Sequence, residues 1–422
     1  MEKIFALFRI PELRNKIFFI LALLVVYRLA ANIPLPGVDI DRVQSLFESN
    51  QLLGLLNVFS GGGLANISIV LLGVGPYITA SIIMQVLTMV VPQLEQMYKE
   101  EGEAGRQKFT MITRLITVPL AILQTFGMIS LLKSQQILID LSAYDTAVLV
   151  VIATAGTIFL MWLGELITEK KIGNGVSIMI FAGIVASLPS VLSRTFAVFD
   201  STQLFTYILF ILIGLVTIAG VVFVNEGQRN VPISYAKRMR GAKQSGGGST
   251  HLPLRVNQAG VIPIIFAVSI VLFPSFIGSA LSQVSNESLA SFGLTLSTLF
   301  QNQWVYGLSY FTLVILFTYF YTAVVFDPKK IAENLQKQGG FVPGIRPGHQ
   351  TEEYLGRITS RITLFGALFL GSIAVLPIVV QGFTNITSLT LGGTSILIAV
   401  SVVVEMVKQM ESQMVMRRYD VY

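Results

Sequence analysis

The chain has 422 residues, of which 53% are hydrophobic and only 12% charged, with a formal net charge of +6. Soluble domains carry about a quarter charged residues, and a globule in water cannot bury this much apolar surface, so soluble-enzyme and disordered readings fall together. Cysteine is absent and histidine occurs only at His251 and His349, which removes a disulfide framework, a thiolate metal site and a cysteine nucleophile.

Charge-free runs predict the elements in chain order, each membrane span needing about 20 apolar residues. The first span covers about 17–33, between Lys16 and the outer-end Arg28. Its basic-then-apolar start imitates a secretory signal, but Arg28 interrupts it and the segment is expected to be retained. The run Leu52–Leu94 carries no charge. Its second part, Ile67–Val90, is long enough to span. Its first part, Leu52–Leu64, is too short and ends in Ser60-Gly61-Gly62-Gly63. It reads equally as a re-entrant half-helix, tolerated only where protein or a water-filled cavity surrounds it, or as an external surface loop.

Leu115–Leu132, Thr146–Gly164, Ile172–Ser193 and Ser201–Asn225 each fit one span, and Val256–Asn286 and Ser288–Phe326 follow. Ile362–Val404, split by the polar stretch Gln381–Gly393, holds two more. Unbroken apolar runs, rather than alternation, argue against a membrane β-barrel. The expected fold class is therefore an all-α polytopic membrane protein with ten transmembrane helices. With ten spans, the 29 Lys and Arg fall on one side except Arg28, Arg42, Lys133, Arg194 and the span-embedded Arg114. That bias places both termini in the cytoplasm. Five spans precede the loop near 194–204 and five follow in opposite orientation. This predicts two inverted halves, 1–200 and 201–422, with a functional path between them.

The predicted membrane interior is nearly free of charge. Arg28, Arg114, Glu165 and Glu405 all lie near span ends, where they can snorkel or pair. A proton relay or intramembrane hydrolase would need mid-membrane polar groups. Gly73, Gly75 and Pro76 in span 2, and Pro263 and Pro274 in span 7, fit ordinary kinks or paired hinges. Two cytoplasmic loops are long. Loop 226–256 is basic, with a glycine tip and a possible hairpin between Val231–Tyr235 and His251–Val256. In loop 326–361, Asp327 precedes a short helix, Pro328–Gln338, ended by Gly339-Gly340, and Pro343–Gly348 forms a turn exposing Arg346. Protruding basic loops suit an acidic partner such as ribosomal RNA or a cytosolic protein, or else anionic lipid.

These residues carry a resemblance. Asn57–Leu64 (NVFSGGGL), Pro76–Gln85, Gly102–Lys108 (GEAGRQK), Met161–Thr168, Ile172–Val185, Tyr235–Arg238 (YAKR), Ser249–Ala267, Tyr321–Pro328, Phe341–Gly348 (FVPGIRPG) and Gly392–Ile398 occur in order over nearly the whole chain. Together they resemble the SecY family, the central subunit of the bacterial protein-conducting channel. The resemblance implies partner subunits SecE and SecG, and a plug within about 52–66, formed by Asn57, Val58, Phe59, Ser60, Gly61, Gly62, Gly63 and Leu64. It implies an apolar pore ring of Val74, Ile78, Val176, Ile180, Ile265 and Ile398, and a lateral gate with Thr79 and Phe273. It further implies that Arg240 and Arg346, with Lys237, Arg238 and Arg255, engage the motor SecA or the ribosome. The hairpin tip, Ser245–Gly248, departs from the family by being glycine-rich.

The implied role is a passive gated passage for unfolded secretory polypeptides across the cytoplasmic membrane, with hydrophobic segments released laterally into lipid. No cofactor and no catalysis are expected, and no Walker-type nucleotide loop is visible. Aliphatic side chains suit such a passage, because they close around any extended chain and a narrow apolar constriction gates by dewetting. The competing readings are a secondary transporter for small solutes, which wants mid-membrane ionisable residues, and a membrane-embedded enzyme, which wants a polar catalytic cluster.

Overall fold

The computed structural model describes residues 10–35, 63–64, 67–134, 142–197, 204–235, 238–240, 243–245, 248–271, 273–282, 286–384 and 391–420. The chain is mostly helical. Helix α1 (Pro11–Ala31) is followed by α2 (Gly75–Val90), α3 (Pro92–Lys99), α4 (Gly102–Ser134), α5 (Ala143–Glu169), α6 (Gly175–Ala197) and α7 (Leu204–Glu226). A sheet region comes next, with β1 (Gln228–Tyr235), β2 (Arg238–Arg240), β3 (Lys243–Ser245) and β4 (Ser249–Arg255). Helices α8 (Ile262–Val271), α9 (Phe273–Leu281), α10 (Glu287–Gln301) and α11 (Gln303–Val325) lead to α12 (Pro328–Lys337) and β5 (Gly340–Phe341). Helices α13 (His349–Thr384) and α14 (Leu391–Asp420) complete the order.

Among the described residues, Gly102–Ser130, Ala143–Glu169, Gln303–Lys337 and His349–Val380 are long and apolar enough to cross a membrane. The pair α2 and α3, bent by 109°, makes a fifth candidate. Helix faces carry exposed Leu115, Leu123, Val151, Phe205, Phe223 and Leu308, side chains that only a lipid or protein surround would accept at this density. Several helix-borne hydroxyls are satisfied locally. Thr113 and Thr117 donate to the carbonyls of Phe109 and Thr113, at 2.9 and 2.8 Å. That pattern removes polar atoms from an apolar medium without a distant partner.

Two expected spans are corrected. Ile67–Val90 is not one helix. Residues 67–74 form turns, with Ile67 and Gly73 at φ +38° and +57°, and α2 starts only at Gly75. It ends at Val91, held extended (φ −108°, ψ 105°) before Pro92. A residue preceding proline avoids the helical region, which accounts for the sharp bend there. Ser288–Phe326 is not one helix either. Asn302 lies between α10 and α11, and its Oδ1 accepts the Trp304 amide at 3.0 Å. That is an N-cap, so the sequence starts a new helix inside an apolar run.

The expected α5 start is sharpened by a capping box, with Ser142 Oγ accepting from Asp145 N at 3.1 Å and Asp145 Oδ2 from Ser142 N at 3.2 Å. The short helix after Asp327 forms as α12, its Asp327 Oδ1 accepting from Lys329 N at 3.1 Å and Lys330 N at 3.3 Å. The hairpin forms too. β1 pairs antiparallel with β4 from Gln228↔Arg255 to Ser234↔Ser249, and β5 adds to its other edge through Ser234↔Phe341.

Packing joins N-terminal and C-terminal helices along two lines. On one, α2 meets α8 and α4 meets α9. On the other, α6 meets α14. The largest apolar core runs between these lines and draws residues from α1, α2, α5, α6, α8, α11, α13 and α14. A second cluster, including Leu35, Leu64, Ile67, Leu71, Met128 and Leu149, sits beneath the turns before α2. A third, built from Val231, Leu254, Val342, Leu355 and Ile358, joins the loop regions 226–256 and 326–361 into one unit.

Candidate functional site: a buried apolar waist

The main core contains all six residues of the expected ring. Val74, Ile78, Ile180, Ile265 and Ile398 are at most 5% exposed, and Val176 packs half-buried against them. They come from the α2 start, α6, α8 and α14, so N- and C-terminal helices both contribute. The same cluster holds the aromatic rings of Tyr27, Phe266, Tyr306, Tyr310 and Phe317 around these aliphatic side chains.

Local geometry positions each contributor. Val74 ends the turn segment 67–74 and is the N-cap position of α2. That segment is clipped to the end of α1: Ile69 N donates to Ile33 O at 3.0 Å, and Leu35 N to Ile67 O at 2.8 Å. Ser68 N donates to Gly63 O at 2.8 Å. These bonds satisfy non-helical backbone that lies away from water. Gly156 of α5 packs against the carbonyl of Ile69 so closely that no side chain fits between them. Val176 and Ile180 stand one turn apart on α6. Thr168 Oγ1 accepts from Gly175 N at 2.9 Å, and Asn174 Oδ1 from Ser177 N at 3.2 Å, fixing the α6 start.

Of the expected gate residues, Thr79 is 5% exposed on α2. Its hydroxyl donates to Gly75 O at 3.1 Å and accepts from Gln124 Nε2 at 3.3 Å, tying α2 to α4. Phe273 is half-buried at the start of α9, the helix that meets α4. Both lie on helices flanking the seam. Of the expected plug, Gly63 and Leu64 are buried, while Asn57–Gly62 fall outside the described residues.

The expected docking residues are elsewhere. Arg255 ends β4 and Arg346 follows β5, both exposed. Sequence reading treated their loops separately, whereas β1 pairs with both β4 and β5, putting the two arginines on one sheet-based head. Arg346 is presented by a turn with Gly344 and Gly348 at φ +82° and +95°, and its carbonyl accepts from Thr351 Oγ1 at 2.9 Å. Arg238 and Arg240 belong to β2, and Lys237 lies outside the described residues.

Two of the expected near-interface charges pair with each other. Arg114 Nε and Nη2 meet Glu165 Oε1 and Oε2 at 2.7 Å each, a bidentate bridge between α4 and α5. Sequence reading missed one polar group near the waist. Asn257 Nδ2 donates to Asn225 Oδ1 at 2.7 Å, and Asn225 Nδ2 to Ser401 Oγ at 3.0 Å. The only sequence signal was an asparagine ending one apolar run and another opening the next.

A helical bundle with lipid-like outer faces and a buried apolar core shared by its N- and C-terminal helices defines a polytopic membrane protein. A family model for SecY matches residues 68–407. The chain is 46% identical to the protein translocase subunit SecY of Streptomyces galbus, covering 98% of this chain and 97% of the relative. It is 44% identical to that of Thermotoga maritima, over 98% and 95%. A solved protein-conducting channel superposes with a TM-score of 0.65 at 17% identity, covering 95% of this chain and 92% of that one. Sec61 in a canine ribosome–channel complex gives 0.62 at 17% identity, over 95% and 92%. The chain belongs to the SecY family, the translocase subunits that form protein-conducting channels.

Proposed function

We propose that this chain is the pore of a secretory translocase in a bacterial cytoplasmic membrane, passing unfolded polypeptides through the waist built by Val74, Ile78, Val176, Ile180, Ile265 and Ile398. The observation that carries this reading is the convergence of those six aliphatic residues, from N- and C-terminal helices, in one buried apolar core. A site for small solutes would need fixed polar contacts there. A passage for unrelated chains needs the reverse, because any fixed charge would favour some sequences and trap others.

The remaining assignments follow from the same reading. Ten spans form two inverted halves, 1–200 and 201–422, with both termini in the cytoplasm. Asn57–Leu64 plugs the closed pore. The seam where α2 and α4 meet α8 and α9 is the lateral gate, lined by Thr79 and Phe273. When it parts, leucine-like segments favour lipid and charged ones do not, which sorts membrane segments from secreted ones. SecE and SecG are the partner subunits. The channel is driven from outside, by SecA hydrolysing ATP or by the elongating ribosome, docking on the head through Arg346, Arg255, Arg240, Arg238 and Lys237. Ribosome-bound Sec61 and yeast Ssh1 among the structural neighbours support the ribosome as a partner.

Reconstitution tests the function. Vesicles holding this chain with SecE and SecG, supplied with SecA and ATP, are expected to take up a secretory precursor into a protease-protected state. Failure of a verified active motor to drive any protection would count against the assignment.

A further inference from the structure

We propose that Asn257 is a positioning residue of the channel. Through Asn225 it holds the root of α8 against α14, so that Ile265 and Ile398 close on the same waist. This rests on the waist reading above. The side chain of Asn257 is 7% exposed. Its Oδ1 accepts from Gly260 N at 2.9 Å, and its Nδ2 donates to Gly260 O at 3.1 Å and to Asn225 Oδ1 at 2.7 Å. The first two bonds lock the turn that enters α8, where Gly260 stands at φ +65°. The third carries the turn onto the end of α7.

From there the chain of bonds reaches α14 twice. Asn225 Nδ2 donates to Ser401 Oγ at 3.0 Å, and Lys408 Nζ donates to the Asn225 carbonyl at 3.1 Å while pairing with Glu226 at 2.9 Å. Ser401 is 4% exposed and stands one helical turn beyond Ile398. Ile265 lies one turn into α8, where its amide donates to Val261 O at 3.3 Å. The network thus ends within a turn of one ring residue and begins just ahead of another. The backbone around it has little room to drift. Val256 N donates to Gly227 O at 2.9 Å, and a Cβ on Gly366 of α13 would stand 2.7 Å from Val256 O.

Apolar contacts alone let α8 slide, since dispersion and burial are non-directional. A three-bonded carboxamide in an apolar surround does not, because each broken bond strands a buried partner. Loosening it frees α8 relative to α14 and opens the waist at rest.

The test is ion efflux from precursor-free vesicles holding the full translocase complex, with Ile265→Gly as the control for the waist. Asn257→Ala is expected to raise resting efflux on the order of tenfold, at a temperature where the complex keeps its yield and melting transition. Asn225→Ala is expected to do the same, and the double variant to leak no more than either single one, since both cut one path. If Ile265→Gly leaks and Asn257→Ala does not, the positioning role is wrong and the waist stands. If neither leaks, the waist itself is wrong and the proposal falls with it. An additive double variant shows that the two asparagines act apart, which also overturns it. Should Asn257→Ala not be recovered, Ser401→Ala deletes one hydroxyl at the far end of the path. A severalfold rise in efflux is expected, and wild-type efflux refutes the link.

Discussion

Gly156→Ala probes how α5 holds the turn that feeds the proposed pore ring. A Cβ at this position would stand 2.9 Å from the Ile69 carbonyl carbon and 3.3 Å from Val70 Cα, and closer still to the Ile69 carbonyl oxygen. Ordinary van der Waals contact begins near 3.4 Å. The 67–74 segment must therefore retreat by roughly an ångström or more, or α5 must back away, in a core packed like a crystal. Retreat is resisted by the Ile69–Ile33 and Leu35–Ile67 backbone bonds. Overpacking of this kind costs about 1–3 kcal/mol. The displaced segment ends at Val74, so the expected result is both a lower melting temperature of the purified complex and a raised resting ion leak. Gly214→Ala on α7 is the control: its Cβ meets nothing within 4 Å, and alanine is worth roughly 0.5–1 kcal/mol over glycine in a helix interior. A Gly156→Ala complex with unchanged melting and unchanged leak would refute the close packing of α5 on this turn.

Other outcomes follow from the head and its joints. Arg346→Glu reverses an exposed charge on a rigid turn, and is expected to impair SecA-driven transport several-fold while leaving complex assembly intact; normal transport removes Arg346 from the docking surface. Asp327→Ala strips two amide bonds from the α12 N-terminus, costing about 0.5–2 kcal/mol of local stability. Amide hydrogen exchange in α12 should quicken accordingly, and unchanged exchange would show that packing on α13 alone holds the helix.

Much of this architecture was readable from residues. Charge-free runs marked most helices because lipid-facing and core-facing positions are both apolar. Val231–Tyr235 opposite His251–Val256 announced the hairpin, and Asp327 before Pro328 announced α12. Other features were hidden for physical reasons. The 67–74 turns read as helix because Ile69, Val70, Leu71 and Leu72 are as apolar as any span. Only Gly73 hinted at a break, and the left-handed Ile67 has no residue signature. Asn302 was overlooked inside Ser288–Phe326 because a single polar residue barely changes hydropathy, although its capping bond divides the run. The ring residues could not be told from core by pattern, since a closing aliphatic side chain and a packed one are the same residue. Resemblance alone nominated them. The pairing of β1 with both β4 and β5 joins loops about a hundred residues apart in sequence, a long-range contact that local pattern does not encode.

The central claim, that polypeptides cross at the waist, is tested most directly by crosslinking. The natural chain has no cysteine, so Ile78→Cys, Ile265→Cys and Ile398→Cys each introduce a unique thiol, and Leu215→Cys, 60% exposed on α7, supplies an outward-facing control. A secretory precursor carrying one cysteine is stalled midway through the complex by SecA and ATP, and disulfide formation is read on gels. Crosslinks at all three waist positions and none at Leu215→Cys are expected. A precursor that is transported yet bonds to none of the three would put the path elsewhere and contradict the account.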